Sequence, residues 1–116
     1  MNYEEMSDLQ VNLLVANAIG VDAAENSGVV FGAVKHEGEN VVSVIGVVDY
    51  CNNPSDAWPV ILANRIMLNP YCADDLWKAE VPCGFDGLVK TYATCYHHNP
   101  LRAAMIAFLM MQEKAQ

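Results

Sequence analysis

The segment "NPLRAAMIAFLMM" near the end of the chain constrains the fold more than any other. From Leu101 to Met111 every residue except Arg102 is apolar. Asn99 is a residue type that caps helices, and Pro100 is favoured at a first helical position, so a helix is predicted over residues 99–114. A helix that is apolar on all sides is buried over most of its surface. Either the rest of the chain surrounds this helix, or a second copy covers part of it in a homodimer.

Arg102 is the exception in this helix. A cation in the first helical turn lies near the positive end of the helix dipole, which is unfavourable by about 0.3–1 kcal/mol. We therefore expect a carboxylate or a ligand beside Arg102, and Asp56 is the predicted partner.

Length and composition predict one domain, residues 1–116, with a hydrophobic core. The chain has 116 residues, of which 53% are hydrophobic. The start, "MNYEEMSDLQ", does not resemble a signal peptide. The apolar run "AAMIAFLMM" is far shorter than the roughly 20 residues that cross a membrane. We expect a soluble intracellular protein that does not contact membranes.

A formal net charge of −8 disfavours direct binding to nucleic acid, because phosphate backbones repel an acidic surface. Acidic proteins can instead bind a basic partner or imitate DNA. Here the acidic residues are scattered and form no long run, which makes DNA mimicry the less favoured of the two.

The four cysteines are predicted to be free thiols. Cys51, Cys72, Cys83 and Cys95 are irregularly spaced and include no C-x-x-C pair, unlike zinc sites. Cys95 with His97 is only a weak candidate for a metal clip. No metal site and no cofactor are expected.

The first helix is predicted over residues 7–19. Ser7 and Gln10 have the spacing of a capping box, and Gly20 ends the helix. Its apolar stripe is predicted to contain Leu9, Leu13 and Ala16. Its polar face, with Asp8, Gln10, Asn12 and Asn17, is not expected to converge on any chemistry.

The remaining segments predict an α+β fold, a small antiparallel sheet with an N-terminal helix and a largely buried C-terminal helix. Residues 29–48 read as a β-hairpin, in which Gly32 and Gly46 mark a bulge or a close backbone approach. The segments "GVDAAENSG" and "CGFDG" are interpreted as a loop and a turn. "IMLNP" and "LWKAEVP" are interpreted as short strands, and "LVKTYATCY" as strand or irregular structure.

The segment "DYCNNPSDAWP", here called the 49–59 segment, places polar turn-forming residues between two apolar runs. A short helix should follow, with Ser55 or Asp56 as its cap and Pro59 tolerated within about the first turn. The segment supplies a cluster of candidate binding residues, continued just beyond it. These residues are Tyr50, Asn52, Asn53, Asp56, Trp58, Asn64 and Arg65.

The candidate binding residues also have a purely structural interpretation. Trp and Arg are frequent interface anchors, but Asn and Asp favour turns and Trp58 could fill the core. No phosphate-binding glycine loop, H-E-x-x-H motif or nucleophile–base pattern is present. We therefore predict no catalytic residues, and an enzyme is the less favoured class.

"DYCNNPSDAWPVILANRI", "LWKA" and "NPLRAAMIAFLMMQ" together resemble the NinX-like proteins of tailed phages and prophages. The resemblance extends in order over the whole chain and implies a small phage accessory protein of unknown molecular function. Trp58 stands where many relatives have glycine before Pro59. The family supplies no catalytic residues. Trp77, Asn99 and Arg102 lie within these segments and are further candidate binding residues.

The resemblance leaves three functions open. The first is a non-catalytic module in the host cytoplasm that binds an unknown host or phage protein. The second is a small-molecule binder or enzyme with a pocket around Trp58, Arg65 and Asn52. The third is an acidic DNA mimic. If the 49–59 segment, Trp77 and the start of the last helix meet, we expect a polar-rimmed aromatic pocket at one end of the sheet.

Overall fold

The computed structural model describes residues 2–35, 42–70 and 73–114. It has the predicted α+β class. The helices are α1 (Asp8–Ala18), α2 (Pro54–Asn64) and α3 (Pro100–Lys114). The strands are β1 (Asp22–Asn26), β2 (Val29–Lys35), β3 (Val42–Val48), β4 (Met67–Pro70), β5 (Trp77–Asp86) and β6 (Val89–His97). Short 3₁₀ turns occupy Tyr3–Glu5 and Ala73–Asp75.

The strands form two antiparallel sheets rather than the single sheet that we predicted. Their orders are β1-β2-β3 and β4-β5-β6, so each sheet is a simple meander. Helix α1 packs against β1 and β2, whereas α3 packs against β4, β5 and β6. Each sheet thus has its own helix to cover an apolar face, which is the usual requirement for a stable layer.

Helix α3 lies at the centre of the fold, as its composition predicted. All eight residues from Arg102 to Leu109 are buried. Besides the second sheet, α1 and α2 pack against it. The chain itself therefore covers this helix, so the burial of α3 does not require a second copy. Dimerisation stays a prediction.

The N-terminal helix has the predicted capping box. The Ser7 amide donates to Oε1 of Gln10 at 2.9 Å, and the Gln10 amide donates to Oγ of Ser7 at 3.2 Å. Of the predicted apolar stripe, Ala16 is fully buried, but Leu9 and Leu13 are only partly buried, and Val11 and Val15 take the fully buried positions instead.

Helix α2 begins earlier than predicted. Oδ1 of Asn53 accepts a hydrogen bond from the Ser55 amide at 3.0 Å, so Asn53 is the cap, and the prediction of Ser55 or Asp56 was wrong. Pro54 takes the favoured first position. Pro59 consequently lies inside the helix, beyond the first turn. Pro59 has no N–H that could donate a hydrogen bond to the carbonyl of Ser55. This loss is tolerable because both residues are exposed to water.

Residues 22–26, predicted to lie in a loop, form strand β1. This edge strand pairs with β2 through its backbone, from Asp22 opposite Ala33 to Asn26 opposite Val29. Ser27 and Gly28 form a two-residue turn with φ of 56° and 81°, the backbone of a type I′ hairpin. Because most of the strand's side chains are exposed, its sequence carries no alternating apolar pattern.

The "CGFDG" segment is also mostly strand. β5 continues to Asp86, and the turn to β6 occupies Gly87 and Leu88. A register shift lies between Pro82 and Gly84, where Gly84 has φ of 129°. The glycine that suggested a turn is instead the flexible point of a bulge.

Gly32 lies at a close backbone approach and next to a register shift, so the structure supports both of the features that the sequence left open. A Cβ on Gly32 would lie 2.9 Å from Cγ1 of Val21, which is too close. Gly46 lies directly opposite Gly32 on β3, and the register shifts just after Gly32. The pairing of β2 with β3 is therefore irregular at this glycine pair. The turn between β2 and β3 lies outside the described residues.

We expect replacement of Phe108 by Ala to lower the free energy of unfolding by about 3–5 kcal/mol, because the ring is 1% exposed at the centre of α3. Chemical denaturation of both proteins measures the loss. Leu88→Ala is the matched control, since Leu88 is fully exposed and its loss should change stability by no more than about 0.5 kcal/mol. Equal, small effects of the two substitutions would contradict a central α3.

Candidate functional site

The 49–59 segment closes on itself before α2 begins. The amides of Asn52 and Asn53 donate to the carbonyl oxygen of Asp49 at 3.3 and 2.8 Å. Oδ2 of Asp56 accepts a hydrogen bond from the Asp49 amide at 2.9 Å. Asp56 thus joins the first turn of α2 to the end of β3.

Helix α1 holds the segment through Asn12, which is 4% exposed. Its Nδ2 donates to Oδ1 of Asp49 at 2.9 Å, and its Oδ1 accepts from the Cys51 amide at 3.0 Å. The polar face of α1 was not expected to converge on any chemistry, and the role of Asn12 here is structural. A buried amide with both ends bonded fixes the position of the segment against the helix.

Helix α3 reaches the segment through Asn99. Its Oδ1 accepts from the amides of Leu101 and Arg102 at 3.0 and 3.3 Å, which confirms the predicted cap. Its Nδ2 donates to the carbonyl of Cys51 at 2.8 Å and to Oδ1 of Asn52 at 3.1 Å. One side chain therefore caps α3 and binds the segment.

Arg102 has a carboxylate partner, as predicted, but the partner is Asp8 and not Asp56. Nη1 of Arg102 lies 2.5 Å from Oδ1 of Asp8. Nη2 donates to the carbonyls of Tyr3 and Met6 at 3.1 and 2.6 Å. Arg102 is 6% exposed, so these contacts replace the water that its charge loses on burial. Asp56 is instead engaged with the Asp49 amide.

Asp8 connects the ion pair to the 49–59 segment. Nδ2 of Asn52 donates to Oδ2 of Asp8 at 3.1 Å and to both carboxylate oxygens of Asp49 at 3.1 and 3.2 Å. Burial by itself would raise the pKa of Asp8, but the hydrogen bonds from Asn52 and Arg102 and the charge of Arg102 outweigh it, so the pKa lies below its ordinary value. Asp8 is therefore ionised at neutral pH.

These side chains form one connected group, called here the polar cluster. Its members are Asp8, Asn12, Asp49, Asn52, Asn99 and Arg102. It joins α1, the 49–59 segment and α3. Sequence reasoning missed Asp8, Asn12 and Asp49. A signal existed for two of them, because Asp8, Asn12 and the buried Ala16 follow each other at intervals of four residues and share one helix face.

The polar cluster lacks the features of a catalytic centre. Burial raises the pKa of the Cys51 thiol to about 12 and that of Cys95 to about 11, so neither is a thiolate at neutral pH. Nδ1 of His97 accepts a hydrogen bond from the Asn99 amide at 2.9 Å, which occupies the nitrogen that a base would use. Among the described residues, every buried side-chain nitrogen and oxygen atom has a hydrogen-bond partner. The arrangement holds elements together rather than presenting a reactive group.

A cleft of about 130 Å³ borders the polar cluster between α1 and the first sheet. Its polar lining consists of Asp8, Asn12 and Asp49. Its apolar wall is formed by Leu9, Val29, Val30, Val47 and Val48, and Gly28 completes it. The cleft is thus charged on one side and hydrocarbon on the other.

The structure brings only some of the predicted candidate residues together. Asn52, Asn99 and Arg102 meet in the polar cluster, and Trp77 lies opposite His97 in the β5–β6 register, close to the start of α3. Trp58 and Arg65 are exposed on α2 and do not line the cleft. Of the rest, Tyr50 is buried, Asn53 and Asp56 make the local bonds described above, and Asn64 donates to the carbonyl of Val60 at 2.9 Å.

Comparison with known proteins agrees with this architecture. The family model described as "Bacteriophage P22, NinX" matches residues 2–112. The chain belongs to this family. The match includes all three helices up to Gln112 and the whole polar cluster, and it indicates no molecular function.

A crystal structure of a phage protein from Bacillus cereus has a similar fold. The TM-score is 0.66 at 14% sequence identity, over 93% of this chain and 89% of that one. At this identity the likeness concerns the fold alone. No protein with a curated description matches the chain. Within the described ranges, none of the helices has the length and apolar character needed to cross a membrane.

The Asp8–Arg102 pair should show a coupling energy of about 1–3 kcal/mol in a double-mutant cycle of Asp8→Asn and Arg102→Met, measured by denaturation. We expect a value near the lower end, because the Asp8 side chain is 45% exposed. A second cycle, pairing Asp56→Asn with Arg102→Met, is the control and should be additive within about 0.5 kcal/mol. Coupling to Asp56 instead of Asp8 would contradict the assignment.

Stability should fall as the pH drops below about 6.5, the ordinary pKa of histidine. Burial, with the charges of Arg102 and His98, lowers the pKa of His97, while Asp8 and Glu4 oppose this. The unfolded chain therefore binds a proton more readily than the folded one, and protonated Nδ1 no longer accepts from Asn99. His97→Asn keeps an acceptor oxygen but does not titrate, so its melting temperature should vary less between pH 7 and 5.

The control for this measurement is His98→Asn, because His98 is an exposed neighbour of the same type. It should leave most of the pH dependence in place. If His97→Asn and the unchanged protein lose stability equally over this pH range, the Asn99–His97 hydrogen bond is not the cause.

Proposed function

We propose that this NinX-family chain is a phage accessory protein that acts in the bacterial cytoplasm by binding a protein of the phage or its host, without catalysis of its own. The observation that carries the proposal is an exposed apolar ridge on α2. Trp58 and Leu62 are 56% and 59% exposed and lie one helical turn apart.

The ridge is the outer face of a helix whose inner face is already satisfied. Ala57, Val60 and Ile61 are buried, at the spacing of a core-facing stripe. Trp58 and Leu62 therefore contribute little to the core. Tryptophan is among the residue types that most often dominate the binding energy of protein interfaces, and Arg65, exposed at the end of α2, is another. With a net charge of −8, the chain favours a partner with a basic surface.

The absence of catalysis is supported by the polar cluster, whose side chains are hydrogen-bonded to one another, and by the buried thiols of Cys51 and Cys95, which stay protonated at neutral pH. Nothing in the cluster pairs a nucleophile with a free base. Its charged groups instead join three segments of the chain.

The other two functions have less support. The cleft of about 130 Å³ is well below the roughly 300–1,000 Å³ of sites for drug-sized ligands, and neither Trp58 nor Arg65 lines it. Exposed carboxylates such as Glu4, Asp22 and Asp74 belong to three separate elements, which does not favour an imitation of the regular phosphate rows of DNA.

Affinity capture from infected cells, with quantitative mass spectrometry, tests the proposal. Recovery of at least one phage or host protein should fall about tenfold or more for the double variant Trp58→Ala/Leu62→Ala, since loss of hot-spot residues costs upwards of 2 kcal/mol. Alanine favours helix, so α2 should persist, which circular dichroism verifies. Calorimetry with the purified partner then confirms direct binding.

The matched control is Leu88→Ala/Val89→Ala, which removes two exposed apolar side chains from the β5–β6 hairpin. It should leave the capture unchanged. Identical recoveries for all three proteins would contradict binding through α2. A small molecule retained in native mass spectra, and lost with the α2 variant, would favour the ligand-binding function instead.

A further inference from the structure

We propose that the cleft between α1 and the first sheet receives a basic side chain, lysine or arginine, of the protein partner. This inference rests on the proposed protein-binding function and adds a second contact to it.

The lining has the two chemical characters of a basic side chain. Lysine and arginine combine a hydrocarbon stem with a cationic head. Val29 and Val47 are 36% and 54% exposed on the apolar wall, where a stem could cover them. Asp8 and Asp49 stand on the polar side, where a head group would lie.

The charge of the lining is unbalanced. Arg102 neutralises Asp8. In the described part of the chain, the carboxylate of Asp49 accepts hydrogen bonds only from the neutral side-chain amides of Asn12 and Asn52. A further carboxylate, Glu25, accepts a hydrogen bond from the amide of Gly28, a lining residue, at 3.4 Å. The cleft therefore carries net negative charge and favours a cation over an anion or a neutral group.

The two carboxylates also keep hydrogen-bonding capacity for an incoming donor. A carboxylate has about four acceptor positions. Oδ1 of Asp49 accepts from two amides and Oδ2 from one, while each oxygen of Asp8 accepts one hydrogen bond. About one position on Asp49 and two on Asp8 remain, which suits an ammonium with three donors or the fork of a guanidinium.

The size of the cleft limits the occupant to one side chain. A volume of about 130 Å³ is too small for a nucleotide or a similar cofactor. Because a single side chain binds weakly without the remaining interface, the measurement must detect low affinity.

Nuclear magnetic resonance titration of the labelled full chain is suited to this purpose. The probes are N-acetyl-lysine methylamide and N-acetyl-arginine methylamide. Their neutral counterparts, the norleucine and citrulline derivatives, keep the stem but lack the charge. We expect saturable shifts of the amide signals of Gly28, Val29, Val47 and Asp49 with at least one cationic probe. The same shifts should be at least roughly threefold weaker with its neutral counterpart and should decrease at high salt.

Two variants test the two sides of the cleft. Asp49→Asn removes the charge and should abolish the difference between cationic and neutral probes. Because Asp49 also bonds to Asn12 and Asn52, this variant could fail to fold. Val47→Ser leaves both carboxylates in place, changes an exposed wall residue, and should weaken binding of the cationic probe roughly threefold or more.

The outcomes separate this inference from the proposed function. Absence of saturable shifts, or equal shifts with neutral probes, overturns the cleft proposal even when partner capture still depends on Trp58. Charge-dependent shifts at the cleft support it even when the α2 variant captures the same proteins as the unchanged chain. An unchanged response in Val47→Ser overturns the assigned position of the stem.

Discussion

The buried guanidinium of Arg102 is the constraint on which the rest of this structure depends. A cation in the first turn of a central apolar helix must find its partners within the protein. It finds the carboxylate of Asp8 and the carbonyls of Tyr3 and Met6, and these contacts bring the N-terminal segment onto α3. Asp8 then positions Asn52, through which the charge is connected to the end of β3. The polar cluster is the network of hydrogen bonds that makes this buried charge tolerable.

The hydrogen bonds of the polar cluster distinguish side chains that hold the fold together from side chains that are exposed. The residues of the 49–59 segment that could suggest a reactive site, Cys51 and the two asparagines, are buried or take part in hydrogen bonds. Trp58 and Leu62, by contrast, are exposed on α2, and Val29 and Val47 are exposed beside the cleft. A family protein that acts by binding would need this division, because a rigid interior keeps an exposed surface in a defined shape at low entropic cost.

The sequence predicted those parts of the fold that local patterns specify. Helix α1 has its capping box, α3 has Asn99 before Pro100, and the hairpin of β2 and β3 has two runs of β-branched residues. Strand β1 was missed, because an exposed edge strand is defined by backbone pairing with β2 and its side chains need no pattern. The start of α2 was misplaced, because several residues of the 49–59 segment are able to cap a helix and only the folded geometry selects Asn53.

The candidate site was predictable in kind and not in detail. The position of Arg102 in the first turn of α3 predicted a carboxylate or a ligand beside it, and a carboxylate was confirmed. The choice of Asp8 over Asp56 depends on a contact across 94 positions of sequence, for which one sequence holds no local signal. The place of Trp58 in the structure could not be predicted either. Its residue type suits a core or an interface equally well, and its exposure on α2 is known only from the fold.

Two of the contacts of Arg102 have a consequence for how sequences of this kind can change. The guanidinium binds the main chain of Tyr3 and Met6, and a carbonyl oxygen is the same in every amino acid. Substitutions at these positions leave both hydrogen bonds in place as long as the backbone keeps its course. Shortening the segment removes them, whatever side chains remain. These two hydrogen bonds therefore depend on the length and course of the segment, and a shortened segment would leave the buried charge of Arg102 without two of its partners.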